Sequence, residues 1–469
     1  LVQKFSKFQT IVIGFAFAAI LLIPTTTESS YGQSAPSGTV STAGLIFSTN
    51  DDTDCSIVGI WDAATTTCTL TADINVSNNK EGISITSSNI ILDGAGHTIT
   101  GLGTVTGQSS NSRAIIIHSQ MIELTIKNLT IKNFKTGIAS SNNNGLTITN
   151  VTMSDIGGYG IDSYGSDSLK IESNSISHLN TESISQQGIY LTGHNAYWGQ
   201  GNGSCTGTGT YVSSSQDGPI VIKNNTITST SGSGSGMYIE GSKYCISGNT
   251  ISNMKVGIHI AATSFNGGAT PTAHTLSNNM ISGSSQKGIN IVSNADGNYI
   301  TGNTIVDGLT GIQLSGSDNN SISGNIINNN KPSNFGLAGT SQAMSIGTSN
   351  YNTITNNQFL FNNQGVELNS SSFNQFNSNT IGNTEGNGLR VLWGESNKIM
   401  YNSVNWNDGV GILIENPNSS TENVSEFEGN TASGNDLGDI VGITIADTTP
   451  PVITIPELTT DQWGNENLE

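Results

Sequence analysis

The sequence predicts an all-β chain wound as a parallel β-helix. Three observations carry the prediction: apolar residues paired five apart, an asparagine fixed inside most of the pairs, and a glycine followed by alternating apolar positions. The pairs are Ile126/Ile131, Ile148/Met153, Ile171/Ile176, Ile222/Ile227, Ile246/Ile251, Leu276/Ile281, Ile300/Ile305, Ile322/Ile327, Ile354/Phe359, Phe376/Ile381 and Ile399/Val404. From the third pair onward an asparagine stands three residues after the first member, at Asn174, Asn225, Asn249, Asn279, Asn303, Asn325, Asn357, Asn379 and Asn402. Asn225 and Asn249 are 24 residues apart, Asn303 and Asn325 are 22, and Asn379 and Asn402 are 23, so one unit repeats and longer gaps mark insertions into it.

Each unit also carries a glycine and an apolar residue, as at Gly188-Ile189, Gly257-Ile258 and Gly311-Ile312, followed by alternation in GIHI, GINI, GIQL, GVEL and GLRV. Period two marks a strand with one buried face. Short strands, polar turns and no helical period describe coils that stack so that each strand pairs with its copies above and below. A leucine-rich repeat shares the period but needs a leucine consensus, which is missing. The recurring asparagines are expected to take the left-handed backbone of a tight turn and to bond amide to amide between coils.

The elements follow in order. Lys4 and Lys7 precede the apolar run from Ile11 to Ile23, and small polar residues follow it. The run is shorter than the ~20 residues of a membrane span, and its flanks predict an export signal over residues 1–32. The mature chain is expected to have no membrane span. Residues 33–80, with Trp61 and the segment between Cys55 and Cys68, are expected to hold an N-terminal cap, because an open β-helix exposes unpaired edges. Residues 81–445 should form about twelve coils. After them DTTPP is a break, and VITIPE begins a tail, residues 446–469, that reads as the first strand of an incomplete sandwich.

Four cysteines in an exported chain suggest two disulfides. Cys55 with Cys68 would close a short loop, and Cys205 with Cys245 would pin a long insertion; the other two pairings stay open. The formal charge of -19 makes nucleic acid an unsuitable partner, since like charges repel.

The phrases LDGAGHTI, residues 92–99, and SGNTI, TGNTI and SGNII resemble the right-handed parallel β-helix superfamily of pectin-lyase-like proteins, with NosD-type and carbohydrate-binding and sugar hydrolase repeats, over residues 80–445. The resemblance implies right-handed winding of a single-stranded helix. Its members include pectate lyases, polygalacturonases, alginate epimerases, phage tailspikes and adhesins. His97 is expected to be a turn residue. DTTPPVITIPE is similar to the opening of Ig-like modules on bacterial and archaeal surface proteins, which implies a secreted or cell-surface location.

In a G-I-x-I strand the isoleucines point inward and x points outward. Along the stack x reads Asp162, Tyr190, Tyr238, His259, Asn290, Gln313, one coil without a clear match, then Glu367, Arg390 and Leu413. Neighbours in this stripe stand ~4.8 Å apart. Two insertions leave from it: residues 193–218, with Tyr197, Trp198 and Tyr211, and residues 261–273. Long loops on a rigid scaffold tend to carry function. Tyr190, Tyr238, Asn290, Gln313, Tyr197, Trp198 and Tyr211 are therefore the expected carbohydrate-binding residues, through aromatic faces and amides, and the partner is a polysaccharide or cell-surface glycan held by a monomer. The alternative is a structural or adhesive protein whose stripe is polar only because it faces solvent.

A glycosidase needs two carboxyl groups roughly 5 to 9.5 Å apart. Asp162 and Glu367 stand seven coils apart, ~34 Å, and Asp162 and Glu240 ~12 Å. GYGIDSYGSD, residues 158–167, resembles the YG-(F/I)-D-P-H motif of alginate epimerases; Tyr159 and Asp162 match, while Ser163 and Tyr164 replace the proline and histidine. A shifted site with Asp162, Tyr238 and His259 would be the catalytic set of a polyuronate epimerase or lyase, abstracting a proton next to a carbonyl. The seven methionines and six histidines are scattered, so no metal site or cofactor is expected beyond calcium at an unlocated position.

Overall fold

The computed structural model describes residues 38–42, 44–48, 51–77, 81–103, 112–177, 186–193, 220–230, 232–262, 273–292, 294–415 and 424–442. The export signal, the 446–469 tail, most of both insertions, and Tyr197, Trp198, Cys205 and Tyr211 lie outside the described residues.

The chain winds as a right-handed parallel β-helix with three strand columns per coil. In one column Lys170–Glu172, Ile220–Lys223, Tyr244–Ser247 and Thr275–Ser277 pair in sequence, all parallel. In the next, Ser175–Ile176, Thr226–Thr228, Thr250–Ser252 and Met280–Ser282 do the same. The third column is a separate sheet of fifteen strands that runs from Leu45–Phe47 to Ile440–Val441. Registers align like side chains: Ile171, Ile222, Ile246, Leu276, Ile300 and Ile322 follow one another and all have 0% exposure. Stacking buries one continuous core that no coil could bury alone. The coil without a clear match is Gln342–Gly347, where Ala343 replaces the usual glycine and Ser345 pairs with Gln313 and Glu367.

The asparagine ladder forms, and it is internal. Asn303 is fully buried; its Nδ2 donates to Asn325 Oδ1 and to the Leu276 carbonyl, both at 2.9 Å, while its Oδ1 accepts the Asn279 backbone N–H and side-chain Nδ2, also at 2.9 Å. The pattern repeats from Asn174 to Asn402. A buried amide is tolerated when its donors and acceptors are met, and here each coil meets those of its neighbour. The left-handed conformation, however, belongs to the residue before each ladder asparagine: Ser173, Asn224, Gly248, Asn278, Gly302, Gly324, Asn356, Ser378 and Tyr401 have φ between 53° and 63°. The corner turns one position earlier than expected, which lets the ladder amide point inward.

The glycine column marks a close approach. A Cβ on Gly257 would stand 2.5 Å from the Gly288 carbonyl oxygen and 2.5 Å from Ile281 Cγ2. Gly257→Ala is expected to destabilise by about 2 kcal/mol through overpacking, seen as a lower urea midpoint at unchanged slope.

Within residues 33–80, Thr39–Thr42 and Leu45–Phe47 already pair in parallel with Asp73–Val76 and Ile83–Ile85. Between them sit a helix at Asp52–Cys55, capped by Asp51 accepting the Thr53 N–H at 2.9 Å, and an antiparallel pair, Gly59–Asp62 with Thr67–Leu70. The Cys55–Cys68 disulfide joins them with a Cα separation of 5.7 Å, and both residues are fully buried. Cys245 is also disulfide-bonded.

Candidate ligand-binding stripe

The third sheet sets the outward residues in register: Asp162, Tyr190, Tyr238, His259, Asn290 and Gln313 pair in succession, followed by Ser345, Glu367, Arg390 and Leu413. The flanking Ile189, Leu191, Met237, Ile239, Ile258 and Ile260 have 0% exposure. His259 is half-buried, on the outer side of the sheet. Alternation thus places the nine predicted stripe residues in one register on the sheet.

How the rings pack was not expected. Tyr159 and Tyr190 have centroids 5.0 Å apart, Tyr190 and Tyr238 5.2 Å, and Tyr238 and His259 4.8 Å at an interplanar angle of 7°. Tyr190 and Tyr238 therefore each have a ring on both sides. Their faces are occupied by one another, and what they offer a ligand is their edges.

Tyr238 donates its hydroxyl to Glu240 Oε1 at 2.8 Å. Burial and this carboxylate push its phenol far up, so the proton stays in place. Burial raises Tyr190 and Tyr159 as well, helped by Glu240 for the former and by Asp162 for the latter. Burial also raises Asp162, while Arg113 draws it back. His259 is lowered by burial and then by Lys287, which keeps the imidazole neutral. Asn290 Nδ2 and His259 Nδ1 are 3.0 Å apart; with the amide donating, the imidazole proton sits on Nε2.

Asn290 is only 4% exposed, and its Oδ1 has no partner among the described residues. Lys287, half-buried and lowered by burial, has no ion-pair partner among them either. In contrast, Arg390 is held by Glu367 at 3.3 Å and Glu415 at 3.1 Å, so it is bound between two carboxylates and is no free base. Asp162 stands three strands from His259, about 14 Å at the strand spacing. The structure brings Tyr238 and His259 together but leaves Asp162 apart.

Sequence reasoning missed Tyr159, Lys287 and Glu415 as neighbours of the stripe. A signal existed for the first two: the residue before each strand glycine forms a second register, Tyr159, Gln187, Ser235, Val256, Lys287 and Thr310.

Fold and register define a right-handed parallel β-helix protein. Residues 338–454 match the family model "Right handed beta helix region" and residues 269–343 match "Periplasmic copper-binding protein (NosD)". The chain is similar to the periplasmic alginate epimerase AlgG at 14% identity, covering 70% of this chain and 77% of that one, with a TM-score of 0.47. It is similar to the tailspike protein of E. coli bacteriophage HK620 in complex with pentasaccharide at 10% identity, 84% and 74% coverage and a TM-score of 0.46. It is also similar to PfbA, a surface adhesin of Streptococcus pneumoniae, at 13% identity, 70% and 84% coverage and a TM-score of 0.43. No curated protein matches it.

The four histidines among the described residues do not fit a copper centre. His97 bonds Asp73 at 3.1 Å, His118 bonds Ser84 at 2.9 Å, His259 bonds Asn290, and His274 bonds the Tyr244 backbone. Among the described residues no group of three or more His, Cys, Asp or Glu side chains could share a metal ion. No described helix is long and apolar enough to cross a membrane.

Proposed function

We propose that the stripe from Tyr190 to Gln313 binds a glycan at the surface of an exported protein, through hydroxyl and imidazole edges and amide ends in place of ring faces. The observation that carries this reading is the polar capacity beside His259 that is unmet among the described residues: the half-buried Lys287 without a counter-charge, next to the buried Asn290 whose Oδ1 has no partner. The half-exposed Lys287 ammonium can donate hydrogen bonds to the hydroxyl oxygens of a glycan. The polar termini of Gln313 and Tyr190 suit the spaced hydroxyls of a sugar chain laid along the stack, with Asn290 buried beneath and bonded to His259. The two insertions, with Tyr197, Trp198 and Tyr211, lie outside the described residues and enter this reading only as an expectation from the sequence.

A glycan array probed with the full chain and with the Lys287→Ala/Asn290→Ala double variant tests this. Any glycan retained is expected to bind the variant about tenfold more weakly or worse, as for the loss of a hydrogen bond to a charged group, while Glu367→Ala leaves retention unchanged. Absence of retention, or equal retention by both chains, favours a structural or adhesive surface protein. One observation speaks for that second reading: the rings spend their faces on each other, as a stabilising ladder would.

A further inference from the structure

His274 occupies a singular place in the stack. It belongs to the column of residues that open the first strand of each coil. From the N-terminal side this column holds Leu124, Leu146, Leu169, Ile220 and Tyr244, all buried; from the C-terminal side it holds Asn298, Asn320, Asn352, Asn374 and Asn397, also buried. His274 is the one joint between the apolar half and the amide half. Its ring meets the Tyr244 ring edge-on at 5.0 Å, and its own backbone N–H donates to Asn298 Oδ1 at 3.3 Å. Its Nδ1 accepts the Tyr244 backbone N–H at 3.2 Å, as an asparagine Oδ1 does elsewhere in the column.

The joint is wired to the stripe. Tyr244, itself fully buried, donates its hydroxyl to the Glu240 carbonyl at 2.9 Å, and the Glu240 carboxylate accepts the Tyr238 hydroxyl. The neutral imidazole can accept at Nδ1; an imidazolium cannot, because both nitrogens then carry protons. Acid would set an N–H against the Tyr244 N–H inside a fully buried site.

We propose that His274 is an acid-sensitive latch on the stripe: its protonation releases the Tyr244 backbone, frees the 240–244 turn that fixes Glu240 against Tyr238, and so weakens ligand binding by the stripe. The effect on binding rests on the glycan-binding reading above; the opening of the turn does not.

The titratable and charged groups on the elements packed around the ring are Tyr244, Glu240 and Lys243 on the preceding turn, Asp296 on the following coil, and Asp167, which acts on Tyr244 from an earlier coil. None is hydrogen-bonded through its side chain to His274 among the described residues. Burial lowers the histidine to about 4, with the Gly241 carbonyl offsetting only part. The sign follows: a folded value below the ordinary 6.5 gives stability that is complete above about pH 6.5 and is lost as pH falls toward 4.

The test compares the full chain with His274→Asn, which extends the amide column by one member, and with His274→Gln as a second variant. Hydrogen exchange of the Tyr244 amide is read at matched pH from 7 to 4. The wild-type rate divided by the variant rate is expected to rise by nearly tenfold per pH unit below pH 6.5 and to level off toward pH 4 at about 150-fold. Taking the ratio at matched pH removes what wild type and variant have in common and leaves the effect of residue 274. A ratio that stays flat in both variants overturns the latch. If the array yields a glycan, wild-type retention should fall at pH 4.5 while His274→Asn retains it; equal loss in both refutes the coupling to the stripe. If no glycan is retained at any pH, the binding reading fails, and the exchange ratio still decides the latch.

Discussion

Replacing Asn303 with alanine is expected to cost about 2–6 kcal/mol, because two buried polar groups lose partners at about 1–3 kcal/mol each. The Asn279 N–H loses its acceptor and the Leu276 carbonyl loses a donor, both in the interior, and the amides of Asn279 and Asn325 each lose a contact. In a stack each coil touches only its neighbours, so the loss should be local. Hydrogen exchange should rise most in Leu276–Ser282 and Ile322–Ile327, with coils near Asn174 little changed, alongside a lower urea midpoint. Asn303→Asp is expected to be as harmful despite its shape, since it keeps the acceptors and sets a carboxylate oxygen against the Leu276 carbonyl. Wild-type stability in either variant would mean that the ladder is decorative.

The second large effect is at the opposite end. Replacing Cys55 and Cys68 together with alanine is expected to cost about 3 kcal/mol, the loop-closure value for a crosslink of this span, whose sequence separation is 13. The bond ties the Asp52–Cys55 helix to the antiparallel pair, which sits between two coil strands. Thr67–Leu70 pairs in turn with Ile91–Asp93, so loosening should spread into the first regular coil. A lower urea midpoint for the double variant, with faster exchange at Thr67–Leu70, is the expected reading. An unchanged midpoint would show that the burial of Val58, Leu70 and Leu92 suffices without the crosslink.

The facing of side chains was legible in the sequence because strand alternation leaves no choice: counting two from Ile258 puts Ile260 inside and His259 outside. Counting across the glycine fails. In Lys287–Val292 both Gly288 and Ile289 are buried, so the alternation slips by one, and Lys287 emerges on the stripe side unannounced. The ladder was legible from spacing alone. Its corner was displaced by one residue because Asn224-Asn225 and Asn278-Asn279 offer two residues that both tolerate a positive φ, and only the backbone decides which one turns. Ring orientation was not legible at all. Tyr190 and Tyr238 are read from sequence as outward, but whether they present faces or edges depends on the 4.8–5.2 Å separations between successive rings.

The ladder also governs how such a molecule can change size. Every layer offers upward what it accepts from below, so Asn279 would find the same partner in Asn325 as it now does in Asn303. Removing or duplicating the 22 residues between those two leaves each junction chemically complete, whereas a partial excision strands an amide in the dark of the core. Length in this protein is therefore quantised, and growth by whole layers is the change its architecture resists least.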